Sequence, residues 1–278
     1  MTSNKTDREL NVHNIIFSFI PTLIAIIIPF IINLGDIIVL FIAHIFSDQK
    51  TDSSLTAGEV FTQAYNQPMN LAFISLFQFL AFVIIFGFWY KNTFYQKGEI
   101  IKKPTIYILI IFAGIAGQFF TDSILSLLRP IFTKAFKEYD AIVSSVTGVT
   151  SSWVLLLAVM IVAPIGEELL FRGLTQKYAL RCFSPTLAII FQATLFSLYH
   201  GNIIQCVYAF IFGLILGLLA HHFQSILPGI LLHISINSSI FLVPQKLLAS
   251  TGTCTITAII SGITLTLCLL ICLRKVKA

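Results

Sequence analysis

Charged residues are scarce in this chain. Only 10% of its 278 residues are Asp, Glu, Lys or Arg, whereas 57% are hydrophobic and 26 are phenylalanine. Soluble globular domains carry roughly 25% charged residues. The composition therefore excludes a soluble globular protein, leaves no room for a separate soluble domain and predicts a polytopic membrane protein.

Several chemical signatures are also missing. The five cysteines form no CxxC pair, which argues against a disulfide framework and against a thiolate metal site. No basic stripe interleaved with aromatic residues is present, so the net charge of +5 does not indicate nucleic-acid binding. No internal repeat relates the two halves, which counts against a transporter.

Apolar runs long enough to cross a bilayer, about 20 residues each, recur along the chain. The first, 15–46, contains Pro21 and Pro29 and exceeds one straight span, so it is either one kinked helix or two short ones. We expect it to stay as a membrane anchor. The further predicted spans are 71–90, 106–128, 152–173 (the helix continuing to about 181), 185–200, 203–220, 229–243 and 256–273. The sequence therefore predicts an all-α transmembrane helical bundle of about eight spans.

Basic residues near the ends of spans predict the topology. The connector 91–103 and the tail 274–278 are rich in lysine and arginine and are expected on the cytoplasmic side. The connector 47–67 is then outside, and so is 129–149 despite its basic residues. Its segment IFTKAFKEY, 131–139, is predicted to form an amphipathic, surface-lying segment. We expect a multi-pass protein of the cell membrane.

The stretch APIGEELLFRG, 163–173, places two carboxylates and an arginine inside an apolar run. A charge at membrane depth costs roughly 2.5–3.5 kcal/mol, so such residues usually pair or face a cavity. Glu168 and Arg172 are i and i+4 and can neutralise each other. Glu167 lies about 100° away around the helix and has no obvious local partner. It is either part of an interhelical network, or at the water interface, or functional.

Three further polar residues follow on the next spans. Glu167 lies 14 residues above Arg181, roughly 21 Å, and His200 lies 15 residues above Pro185, roughly 22 Å, so the two are predicted at matching depth. His233 and Asn237 share a helical face, but a tilt or a deep turn is needed to raise His233 to that depth. The glycines of GLILG, 213–217, predict close helix packing.

Singly, each histidine is more often a packing residue; together, these side chains suit hydrolysis. Glutamate and histidine can hold and deprotonate a water molecule. Histidine and asparagine can donate hydrogen bonds to an oxyanion.

Three motifs in order carry a family resemblance. EELLFR (167–172) fits EExxxR, FSLYH (196–200) fits FxxxH, and HISIN (233–237) fits HxxxN. The chain thereby resembles the CPBP intramembrane proteases, which include type II CAAX prenyl endopeptidases, bacteriocin-processing enzymes and lysostaphin-resistance-like proteins. The matched core runs from about 152 to 243. We expect three parts: N-terminal transmembrane helices and connectors (1–150), a CPBP-like catalytic core (151–245), and a C-terminal transmembrane helix with a basic tail (246–278).

The resemblance implies an all-helical fold with a polar catalytic cavity within the membrane and an endopeptidase that acts there. The resemblance implies that Glu167 and His200 activate a water molecule and that His233 and Asn237 support the oxyanion. It implies a structural ion pair for Glu168 and Arg172.

The resemblance leaves the metal question open. HExxH and a cysteine cluster are both missing, and we expect glutamate-type catalysis without a cofactor. If the enzyme depends on a divalent metal such as zinc, Glu167, His200 and His233 are the expected ligands.

The expected partners are membrane lipid and a membrane-associated peptide or protein substrate, such as a bacteriocin precursor or a lipidated protein, but no nucleic acid. Two alternatives remain. One is a non-catalytic immunity or scaffold protein. The other is a proton-coupled transporter that uses Glu167, Asp122 and Asp36 as relay carboxylates.

Overall fold

The computed structural model describes residues 12–46, 68–95, 104–147, 152–240 and 242–274. Nine helices make up most of this part of the chain, and it contains no strand. They are α1 (Val12–Phe46), α2 (Pro68–Thr93), α3 (Pro104–Leu128), α4 (Thr133–Thr147), α5 (Trp153–Cys182), α6 (Pro185–Tyr199), α7 (Ile203–Phe223), α8 (Leu227–Ser239) and α9 (Thr251–Arg274). A 3-10 turn, Gln245–Leu248, precedes α9. The predicted all-α polytopic bundle is confirmed.

Six of the described helices are long and apolar enough to cross a membrane: α1, α2, α3, α5, α7 and α9. The two other predicted spans are shorter helices, α6 with 15 residues and α8 with 13. α1 runs without interruption through Pro21 and Pro29, so the first apolar run is one helix. The connector 47–67 and most of 91–103 lie outside the described residues.

The segment after α3 folds as an amphipathic helix, as predicted. Phe136 and Tyr139 of α4 are buried, whereas Lys134, Lys137 and Glu138 are exposed. The Tyr139 ring meets the Tyr208 ring of α7 edge to face, with 6.4 Å between the centroids. α4 therefore packs against the bundle through its apolar face.

Short, capped turns connect the inner helices. α5 ends at Cys182 and α6 begins at Pro185, as the depth estimate assumed, and Ser184 caps α6 through its side chain. Between α6 and α7, Gly201 adopts φ +68°, a left-handed conformation that favours glycine. Asn202 then accepts hydrogen bonds from two backbone amides in the first turn of α7. These caps fix where α6 ends and hence where His200 lies.

Glycines set the spacing of the inner helices. A Cβ added at Gly213 would lie 3.0 Å from Cα of Ala193 in α6, so GLILG packs α7 closely against α6, as predicted. A Cβ at Gly114 of α3 would lie 2.7 Å from the carbonyl oxygen of Leu232 and 2.5 Å from Cβ of Ser235 in α8. α3 and α8 therefore touch backbone to backbone on either side of His233.

The contact at Gly114 generates a prediction. Replacing Gly114 by Ala forces α3 away from α8, because the obstacle is backbone that cannot rotate aside. Overpacking of this kind costs about 1–3 kcal/mol. We expect Gly114→Ala to lower the midpoint of thermal unfolding in detergent, followed by intrinsic fluorescence.

Gly35→Ala is the matched control, because an added Cβ at Gly35 of α1 meets no described atom within 4 Å. It should leave the midpoint unchanged or raise it, since alanine is the better helix former by roughly 0.5–1 kcal/mol. Equal midpoints for the two variants would contradict the close contact between α3 and α8.

Candidate active site

Two π-helical turns flank the acidic pair of α5. Residues Ala158–Val162 and Leu169–Thr175 are π-helical, whereas Ala163–Glu168 between them is α-helical. Such turns are rare and occur frequently at functional sites. Each π-turn shifts the register of the side chains from that of a regular α-helix. Glu167 and Glu168 are both buried in spite of their neighbouring positions.

The carboxylate of Glu168 is fully buried and joins two helices. Its Oε1 accepts a hydrogen bond from Nη1 of Arg172 at 2.8 Å and lies 3.0 Å from Nδ1 of His233 in α8. Its Oε2 has no hydrogen-bond partner among the described residues and faces Gly229, where an added Cβ would come within 2.6 Å. The start of α8 therefore requires a glycine beside this carboxylate.

Arg172 extends the same cluster to α6 and α7. Its Cζ lies 4.4 Å from the centre of the Phe196 ring in α6, a cation–π distance. Its Nη2 donates to the backbone carbonyl of Gly213 in α7 at 3.4 Å. The predicted i, i+4 ion pair thus forms, with neither side chain exposed to solvent.

Glu167 faces the other nitrogen of the same histidine. Its Oε2 lies 3.6 Å from Nε2 of His233, which is longer than a hydrogen bond; the two groups attract each other electrostatically when the histidine is protonated. His233 is thus the partner that the sequence did not identify. One glutamate faces each nitrogen of its ring, and the Phe196 ring packs against it at 90°.

His200 is held by the backbone of its own helix. Its Nδ1 lies 2.8 Å from the carbonyl oxygen of Phe196. A carbonyl can only accept, so Nδ1 carries the hydrogen and a neutral ring keeps a lone pair on Nε2. His200 is therefore in the tautomer that can accept a proton at Nε2.

Asn237 connects α8 to the first π-turn of α5. Its Nδ2 donates to the carbonyl oxygen of Val159 at 3.1 Å. An amide group has two N–H bonds, and this contact uses one of them. The second N–H of Asn237 is available to a substrate.

The four predicted catalytic residues all line one cavity. It has a volume of about 190 Å³, and Glu167, His200, His233 and Asn237 all line it. His233 reaches the level of Glu167, 3.6 Å away, although α8 begins only six residues earlier at Leu227, after Gln224 reverses the chain with φ +50°.

Of the three relay carboxylates expected for a transporter, two line the cavity and one does not. Asp122 of α3 lines it together with Glu167. Asp36 of α1 does not; its carboxylate accepts a hydrogen bond from Asn70 at 3.1 Å.

The metal ligands expected from the sequence, Glu167, His200 and His233, all line the cavity. No group of three or more His, Cys, Asp or Glu side chains is placed to hold a metal ion anywhere in the described ranges. His233 and His200 each engage Nδ1, with a carboxylate and with a backbone carbonyl respectively, as metal-ligating histidines also do. Glu167, His200 and His233 therefore stay the expected ligands if the enzyme depends on a metal.

Residues 149–239 match the family model of type II CAAX prenyl endopeptidase Rce1-like proteins. The resemblance carried by the three motifs is thereby confirmed. The matched segment contains α5 to α8 and every predicted site residue. The match supports intramembrane protease activity of the CAAX type in general.

A curated relative extends the similarity beyond this segment. UPF0177 protein YbdJ of Lactococcus lactis subsp. lactis (strain IL1403) is 26% identical over 170 residues, which is 59% of this chain and 72% of YbdJ. No solved structure matches.

Sequence reasoning missed three residues of the site. Phe196 entered only as a letter of the FxxxH motif, yet its ring supports Arg172 and its carbonyl orients His200. Val159 and Gly229 carried no signal at all, because a backbone carbonyl and a missing Cβ have no signature in the sequence. The i, i+4 spacing of Phe196 and His200 is the one pattern that could have pointed to their contact.

The buried cluster predicts an asymmetric response to mutation. Arg172→Met leaves the Glu168 carboxylate buried without its strongest partner, which costs about 3–5 kcal/mol. The double variant Arg172→Met, Glu168→Gln removes both charges, and the side-chain amide oxygen of the new glutamine can still accept from His233. We expect the double variant to be more stable than the single one, measured by thermal unfolding in detergent.

Arg181→Met is the matched control. Arg181 is exposed and lies 4.6 Å from the Phe94 ring, so its loss should cost less than about 1 kcal/mol. If Arg172→Met were no worse than Arg181→Met, the buried pair would not hold the fold together.

Proposed function

We propose that this protein is a glutamate-type intramembrane endopeptidase that hydrolyses peptide bonds of membrane-associated proteins or peptides. The observation that carries the proposal is the cavity that Glu167, His200, His233 and Asn237 line together. The Rce1-like match supports the general class, and the contacts of these four side chains support the finer assignment.

Water activation falls to Glu167 and His200. The Glu167 carboxylate takes a proton from a water molecule while His200, with its lone pair on Nε2, holds that water by a hydrogen bond. The water oxygen then bonds to the carbonyl carbon of the substrate, and the carbonyl oxygen becomes an oxyanion. Glu167 returns the proton to the leaving amine as the C–N bond breaks.

Oxyanion support falls to His233 and Asn237. In the doubly protonated form of His233 both ring nitrogens donate: Nδ1 to Glu168, and Nε2 to the oxyanion. Asn237 donates through the N–H that Val159 does not use. Donors that are already oriented in a water-poor site stabilise developing charge without reorganisation.

Glu168 and Arg172 act through position rather than chemistry. Neither lines the cavity, and both are buried. Their role in the proposal is to hold the His233 ring with Nε2 directed towards Glu167.

A scaffold or immunity protein has no use for this arrangement. Such a role does not require a second buried glutamate, a histidine with an available lone pair and an asparagine amide with a remaining N–H group, all beside one cavity. We place the enzyme in the cell membrane, acting on substrates such as a bacteriocin precursor or a lipidated protein.

The proposed roles predict graded losses of cleavage. We expect Glu167→Gln and His200→Ala to lower kcat about 10²–10⁴-fold, and Asn237→Ala to lower it about 10²–10³-fold. The measurement is cleavage of a quenched fluorescent peptide library, including a prenylated CAAX peptide, by protein purified in detergent.

Glu138→Gln on the exposed face of α4 and His221→Ala at the end of α7 repeat the same substitutions outside the cavity lining. Both should keep full activity. Cleavage by Glu167→Gln at the rate of Glu138→Gln would contradict the role of Glu167.

A further inference from the structure

Asp122 is a second carboxylate in the wall of the catalytic cavity, and hydrolysis does not use it. It lies on α3, a membrane-spanning helix, and is half-buried. Its Oδ2 accepts a hydrogen bond from Nε2 of Gln118 at 3.0 Å. None of the ion pairs formed by the described residues includes Asp122. A carboxylate at membrane depth usually has a cationic partner, and Asp122 lacks one within this part of the chain.

A second, larger cavity adjoins the catalytic one at Asp122. It has a volume of about 740 Å³, and it shares Asp122, Tyr139, Val143 and Ile240 with the lining of the catalytic cavity. Arg129, just beyond the end of α3, also lines it. Asp122 lies six residues before the end of α3, about 9 Å along the helix axis. Asp122 thus belongs to the boundary between the larger cavity and the cavity that contains Glu167.

The charges around these two cavities favour a cation. Among the described residues, three carboxylates line the two cavities, those of Glu167, Asp122 and Asp140. Arg129 forms an ion pair with Asp140, and His233, which is cationic in the proposed reaction, faces Glu167. Asp122 is then the lining carboxylate without a cation beside it, and a cleft with net negative charge between walls of low dielectric concentrates cations. The same field repels a substrate carboxylate.

The surroundings of Asp122 suit an ammonium or guanidinium group. Gln118 binds Oδ2 and fixes the orientation of the carboxylate, so that Oδ1 remains for a ligand. The rings of Tyr139 and Tyr208 line the catalytic cavity beside it. Aromatic faces attract cations, which adds to the preference for positive charge.

We propose that Asp122 forms a substrate subsite that binds a positively charged side chain, lysine or arginine, near the bond that Glu167 hydrolyses. The inference rests on the proposed function and adds a substrate class to it: apolar membrane-associated peptides that carry a basic residue close to the cleavage point. Asp122 determines specificity and takes no part in the proton transfers.

The test measures binding separately from cleavage. The probes are short apolar peptides whose central peptide bond is N-methylated so that it resists hydrolysis, with Lys, Gln or Glu at one position at a time. Binding to the full-length protein in lipid nanodiscs is followed by fluorescence anisotropy. We expect Lys peptides to bind roughly tenfold more tightly than Gln peptides at one or two neighbouring positions, with Glu peptides weakest.

Variants locate that preference. Asp122→Asn should bring the Lys-to-Gln affinity ratio close to one, Asp122→Lys should reverse it in favour of Glu, and Asp122→Glu should keep it. Asp36→Asn, the same substitution at a carboxylate outside both cavity linings, should leave the ratio unchanged. Equal affinities for Lys, Gln and Glu peptides, or a Lys preference that survives in Asp122→Asn, would overturn the proposal.

Cleavage of the unmethylated peptides separates this inference from the proposed function. A Lys preference that depends on Asp122, without any cleavage, would contradict hydrolysis and still support the cation subsite. Cleavage that depends on Glu167, without any Lys preference, would support hydrolysis and overturn the subsite.

Discussion

A single carboxylate oxygen, Oε1 of Glu168, ties the helices of the site together. Arg172 from the same helix and His233 from α8 both contact it, and Arg172 continues to the Phe196 ring in α6 and to the Gly213 carbonyl in α7. The ion pair itself lies within α5, so separating α6, α7 or α8 from α5 would keep the pair but remove one of the contacts that surround its two buried charges, and buried polar groups that lose a partner are costly. The contacts that Glu168 and Arg172 make outside α5 therefore help to fix the relative positions of four helices.

Close packing makes that arrangement possible. Between helices in a membrane the hydrophobic effect supplies little attraction, so association depends on small residues and on polar contacts. Gly213, Gly114 and Gly229 each stand where a Cβ would meet a neighbouring helix or the Glu168 carboxylate. These glycines bring the backbones close enough for the side chains of Arg172 and His233 to reach their partners. The two glutamates then hold His233 from opposite sides, which directs the ring towards the cavity.

Local periodicity was enough to predict part of the site. The spacing of Glu168 and Arg172, the shared face of His233 and Asn237, the turn before Pro185 and the packing of GLILG all depend on regular helix geometry. The partner of Glu167 could not be predicted, because the π-turns on either side of the acidic pair change the helical register. No pattern in the amino-acid sequence indicates such turns. The depth of His233 likewise depends on where α8 begins, which is set by the reversal at Gln224 and by contact with α3. Phe196, Val159 and Gly229 act through a ring face, a carbonyl and an absent Cβ, and these contributions appear only in three dimensions.

The assignment of the base to Glu167, without a metal, is the central claim of this account. The most direct measurement determines the rate of peptide cleavage and the metal content of the same purified sample, for the unaltered protein and for Glu167→Gln. We predict cleavage by protein that holds far less than one metal ion per chain, and cleavage that is slower by at least about 100-fold in Glu167→Gln. Cleavage that rises in proportion to bound zinc, or that persists at an undiminished rate in Glu167→Gln, would contradict it.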